Sequence, residues 1–254
     1  CSSFTEAGEV GFSDDDKAYW AFQPLRQQSS PRVLDSVWSQ SPIDPFVLAK
    51  LEAAGLVPAK PASRRVLLRR AYFGLTGLPP SAEEVVAFER DSDPRAFEKV
   101  VDRLLASPRH GEHWSRHWLD LVRYADSNGY KSDEYRPHAW RYRDYVVDAF
   151  NADKPYKQFI TEQLAGDEAI PDSPEALIAT GYLRHWPYES NQRDLDKHWA
   201  DIINEITDVT GEVFMGLSMG CARCHDHKFD PILQKDYYRL RAFFAALDPD
   251  DSLV

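Results

Sequence analysis

The sequence predicts an all-α fold: an irregular multi-helix domain with long connections, preceded by an extended N-terminal arm. Three observations point there. Beyond residue 42 apolar residues recur at three- and four-residue spacing, the period of a helix face. Helix start and stop signals punctuate those segments, and almost nothing alternates apolar with polar as a half-buried strand does. At 254 residues with 43% hydrophobic and 13% aromatic residues, the chain can bury a large core without disulfides.

Residues 1–41 are poor in periodic apolar positions and hold several Ser, Gln and Pro, so they read as an arm, with Tyr19, Trp20 and Phe22 expected to pin it to the body. Residues 42–254 read as one helical domain. Segment 45–54 (PFVLAKLEAA) is helical and stops at Gly55, and 63–75 ends ahead of Gly77 and Pro79. Ser81 with Glu84 forms a capping box that starts a short helix through Phe88. Segment 94–106 has Pro94 in its first turn and one apolar face. A long helix rich in Trp, His and Arg follows over 108–125, then helices near 138–151, 155–165, 173–184, 195–217 and 235–247.

The net charge of −11 comes without a basic block able to track a phosphate backbone, so nucleic acid is not an expected partner and a basic redox partner protein is. No stretch reaches the ~18 apolar residues of a membrane span. Cys1, followed by Ser2, Ser3 and a polar run, reads as an acylated lipoprotein terminus, with a proteolytic end as the alternative.

The chemistry-bearing motif is Cys221-Ala-Arg-Cys224-His225. Two intervening residues let two thiols reach both vinyl groups of a haem, and the next histidine falls under the iron, so the expected cofactor is one covalent haem c with His225 as proximal ligand. A zinc knuckle of Cys221, Cys224, His225 and His227 is the main rival, though closing a tetrahedron over so short a span is awkward. A thioredoxin-like dithiol is the second rival, and it lacks the βαβ context.

Around this motif the segments Gly216 to Pro231 (GLSMGCARCHDHKFDP), Ala21 to Pro24 (AFQP), Pro42 to Glu52 (PIDPFVLAKLE), Leu75 to Pro80 (LTGLPP), His117 to Asp126 (HWLDLVRYAD) and Ala139 to Asp144 (AWRYRD) resemble the planctomycete-type cytochrome c family. More narrowly, residues 19–244 resemble the second characteristic domain of that family. The resemblance implies a periplasmic or cell-surface haem protein and supplies no substrate. Members commonly carry a small cytochrome c domain before this region and another domain after it.

The sixth iron ligand separates an electron carrier from a catalyst. Met215 and Met219 sit too near the attachment turn to reach the distal face, and His227 is expected to bond to a propionate or to backbone. The distal candidates are His110, His113, His117, His138, His185 and His198. His117 is favoured, four residues from His113 on one helix, with an open iron as the equal alternative. Arg123, Tyr124 and Arg141, with Arg116 and Arg143 nearby, are the expected partners of haem propionates. Trp114, Trp118, Trp140 and Tyr142 either wall the macrocycle or form plain core. An electron-transfer module passing single electrons to or from an oxidoreductase is the leading functional expectation. A haem enzyme with peroxidase-like or oxidative chemistry on a carbohydrate-like substrate, and a haem-stabilised structural subunit, are the alternatives.

Overall fold

The computed structural model describes residues 13–189 and 191–247. Among these every regular element is helical, and the sole extended pairing is an isolated antiparallel bridge between Ser127 and Tyr135. The fold is all-α, as the periodicity predicts. Cys1 lies outside the described residues. The chain divides into two compact units, Cys1–Ser63 and Arg64–Val254.

In the first unit, α1 (Asp14–Ala18) starts on a capping box at Ser13, a 3-10 turn covers Trp20–Phe22, and α2 (Asp44–Ala53) follows. Glu52 on α2 accepts the backbone amides of Leu34 and Asp35 at 2.9 and 3.4 Å, which ties the extended stretch to the helix. The ring of Tyr19 packs on Trp20 and Phe22, and all three stay exposed rather than buried.

The second unit opens with α3 (Arg64–Thr76), α4 (Ala82–Arg90) and α5 (Ala96–Leu105). Leu68, Tyr72, Phe88, Val100 and Leu104 form their shared core. The predicted capping box is present: the Ser81 hydroxyl accepts from Glu84 N–H, and Glu84 accepts from Ser81 N–H. The main core lies under α6 (Pro108–Leu121), α7 (Trp140–Asn151), α8 (Tyr156–Ala169) and α9 (Pro174–Ala179), the last continued by a 3-10 turn, Thr180–Arg184. Finally α10 (Leu195–Thr210) leads through a π-helical turn (Gly211–Met215) and a 3-10 turn (Met219–Arg223) to α11 (Gln234–Phe243).

Several helices end earlier than their sequence pattern predicts, the last at Phe243 rather than 247, and for two the cause is visible. The one expected over 108–125 stops at Leu121 because Arg123 takes a left-handed conformation (φ 58°) and Tyr124 N–H bonds back to the Leu119 carbonyl, closing the last turn. A side chain other than glycine in that conformation gives no sequence signal. The one expected over 195–217 ends at Thr210. There the hydrogen bonding widens to a π turn, and Gly216, at φ 65°, stops the run.

The main core is aromatic, and its polar tips meet at one amide. Trp118 Nε1 donates to Gln163 Oε1 (3.0 Å) and to Tyr142 Oη (3.1 Å), while the Tyr142 hydroxyl donates to Gln163 Oε1 (2.5 Å). Gln163 is fully buried and its Nε2 donates to the Phe159 carbonyl. A buried donor without a partner costs about 1–3 kcal/mol, so this amide lets α6, α7 and α8 bury a Trp and a Tyr together. Nearby, Glu162 accepts from Tyr145 Oη, Gln158 Nε2 and Lys154 Nζ. Burial opposes its ionisation, but those three donors together hold its carboxyl below the usual range.

Gln163→Leu keeps the volume and removes both acceptor and donor. It is expected to destabilise the protein by about 2–4 kcal/mol, because the Trp118 and Tyr142 donors lose their shared acceptor. Urea denaturation followed by circular dichroism measures this, and a loss below ~0.5 kcal/mol would dismiss the node as a determinant of packing.

Candidate functional site

Cys221 lies in the 3-10 turn between α10 and α11, and Cys224 and His225 follow directly on its end. Its underside is apolar: Met219 and Ala222 are buried with Ile232 and Tyr237. Met219 packs against Gly211, where an added Cβ would lie 2.7 Å from Met219 Cγ. Cys221, Cys224 and His225 point the other way, all three exposed, with both thiols free.

Backbone hydrogen bonds sew this segment to the start of α11. The Arg223 carbonyl accepts from Gln234 Nε2 (3.2 Å) and from Tyr238 Oη (3.1 Å). Asp226 Oδ1 accepts Gln234 N–H at 2.8 Å, and His227 N–H donates to the Ile232 carbonyl at 2.8 Å. His227 Nδ1 accepts the amide of Asp230 at 2.8 Å and that of Phe229 at 3.3 Å, so the expected backbone role of His227 is observed. Gln234, Tyr238 and Asp226 were not nominated from the sequence. The i, i+4 spacing of the first two on one helix face was the available signal.

His225 Nδ1 lies 2.7 Å from the Asp226 carbonyl oxygen. A carbonyl only accepts, so Nδ1 carries the proton and, in the neutral ring, Nε2 presents a bare lone pair. Below the turn, Asp208 on α10 is pushed up in pKa by burial, against the opposing hydrogen bond of Tyr237 and the charge of Arg223.

The other nominated residues lie elsewhere. His117 is exposed on α6, its ring against those of His113 and Trp114. That helix packs on α7, α3 and α5, whereas the motif turn packs on α11 and α10. Arg123 pairs with Glu205 of α10. Tyr124 donates to Asp126 Oδ1 at 2.7 Å and stacks on Tyr142. Arg141 is exposed and lies over the Trp140 ring. His110 Nδ1 bonds to the Leu75 carbonyl, and His185 is buried among Tyr124, Tyr142 and Tyr182. Among the described residues no three His, Cys, Asp or Glu side chains gather as a metal-ligand cluster, and no helix is long and apolar enough to cross a membrane.

Comparison with known proteins finds that the model of the family described as PSCyt2, protein of unknown function (DUF1549), matches residues 42–249. No curated protein and no solved structure gives a significant match.

Because His227 Nδ1 terminates two backbone amides, His227→Ala is expected to speed hydrogen exchange at Phe229 and Asp230 by roughly tenfold, about 1.4 kcal/mol of local stability. His227→Asn, whose Oδ1 can stand in for Nδ1, should restore most of the protection. Equal exchange in all three proteins would show that the imidazole does not hold the loop.

Proposed function

The chain belongs to the PSCyt2 family, and from that premise we propose that it is an extracytoplasmic protein holding one covalent c-type haem and exchanging single electrons with a redox partner. The observation that carries this reading is the joint display of Cys221, Cys224 and His225 on one exposed turn, with the His225 Nε2 lone pair free. A haem bound there supplies one-electron redox chemistry. The chain's part is attachment and orientation. Cys221 and Cys224 would hold the haem through their sulfurs and His225 Nε2 would hold its iron, with the Asp226 carbonyl fixing the histidine tautomer.

Three further features support the reading. The backbone bonds to α11 hold the turn without engaging either sulfur. Phe229 is 80% exposed and Tyr238 and Met215 about half exposed, apolar surface on the segments flanking the motif. The net charge of −11 suits a basic partner. A zinc knuckle would need His227 as fourth ligand, and its Nδ1 is already taken by backbone.

Mass spectrometry of natively purified protein after acid–acetone extraction is expected to find one haem per chain. Cys221→Ser or Cys224→Ser should abolish stable haem retention. Zinc in place of haem in the native protein would overturn the proposal.

For the sixth ligand, Met219 is buried beneath the turn and Met219→Leu is expected to leave the haem spectrum unchanged. Because the helix of His117 packs on α7, α3 and α5 rather than on the motif turn, an open or water-bound sixth position is the proposed reading, and His117→Ala is expected to leave the EPR spectrum unchanged; conversion of low-spin to high-spin iron in that variant would assign the position to His117.

A further inference from the structure

We propose that His113 and His117, one turn apart on α6, form a two-histidine chelate for a borderline divalent transition metal of the Zn²⁺ and Cu²⁺ class. The residues are four apart, so their side chains leave the same face of the helix. His117 is exposed and His113 half-buried, and their ring centroids lie 6.0 Å apart with planes at 80°. Two imidazoles sharing one ion through metal–nitrogen bonds of about 2.1 Å bring their centroids to about 5 Å, an approach that rotation of the exposed His117 ring supplies.

Packing already fixes one half of the site. His113 lies against Gly77, where an added Cβ would meet its Nδ1 at 2.4 Å and its Cε1 at 2.9 Å. Gly77, at φ 70° just past the end of α3, leaves a space there that any side chain would fill. With the Nδ1 edge turned to that glycine, Nε2 is the nitrogen left for a ligand. Trp114 Nε1 donates to the Gly74 carbonyl at 3.1 Å, which holds the indole beside both imidazoles, 6.2 Å from His113 and 5.4 Å from His117.

Two protein ligands are all that the site offers. His110, one turn earlier, is engaged through Nδ1 by the Leu75 carbonyl, and Glu112 is paired with Arg109 at 2.7 Å. Among the described residues no third His, Cys, Asp or Glu, Asp120 of the same helix included, gathers with the pair, so water completes the coordination.

The surroundings select the ion. A ligating imidazole must be neutral, and burial, followed by the charges of Arg116, His117 and His110, holds the His113 pKa below its ordinary value. Arg116 stays close, its Nε donating to the His113 carbonyl, and its charge opposes any cation. Without a carboxylate ligand, Mg²⁺ or Ca²⁺ gains nothing to offset that repulsion, whereas Zn²⁺ and Cu²⁺ bond imidazole strongly. Once one ring holds the ion, the other meets it as an intramolecular ligand, and that gain separates the pair from a lone surface histidine. α6 packs on α7, α3 and α5, and the inference is independent of haem attachment.

Calorimetric titration of the protein as purified with ZnCl₂ should show an ion whose affinity falls at least tenfold in His113→Ala and in His117→Ala, with haem content unchanged in both. Mg²⁺ in about a hundredfold excess should not compete. Cu²⁺ added to the wild-type protein should show coupling to two imidazole nitrogens in pulsed EPR, which decides the matter even if a variant folds poorly. Coupling to fewer than two imidazoles would overturn the proposal, as would zinc bound equally by the wild type and both variants. Zinc that both histidine variants keep and Cys221→Ser loses would place the ion at the motif and overturn it too.

Discussion

The packing of the second unit depends on one buried amide. Trp118, Tyr142 and Phe159 bring large apolar area to the interface of α6, α7 and α8, but two of those rings end in a polar hydrogen that water can no longer reach. Gln163 Oε1 accepts both hydrogens, and its own Nε2 is satisfied by the Phe159 carbonyl. A rotation or slip of any of the three helices would break this set, so the amide selects one register where apolar contact alone would tolerate several.

A different economy governs the motif turn. Its anchors are backbone groups and side chains other than the reactive ones: the Arg223 carbonyl, Asp226 Oδ1 and His227 Nδ1. Apolar burial of Met219 and Ala222 below holds the turn down, while the two thiols and His225 Nε2 stay outside. The chemistry-bearing atoms are preorganised without being consumed by the fold, the condition a covalently attached group requires.

α10 connects this turn to Arg123. Asp208 on that helix sits 3.5 Å from where a Cβ on Gly220 would lie and feels the charges of both Arg223 and Arg123. One turn earlier Glu205 pairs with Arg123.

The sequence by itself determined the helical class, the capping box at Ser81 and Glu84, and the Cys221, Cys224 and His225 trio. Each of these is local: a period, a cap or a spacing is complete within a few residues, and neighbours in the chain are neighbours in space. It did not reveal the left-handed Arg123 that ends α6, nor the π turn after Thr210, because both are imposed by what the chain packs against rather than by propensity. Nor could it bring Trp118 to Gln163, or His113 onto Gly77. Those meetings join residues 45 and 36 positions apart, since 163 − 118 = 45 and 113 − 77 = 36, and only tertiary packing decides whether such residues share a partner, a contact or nothing.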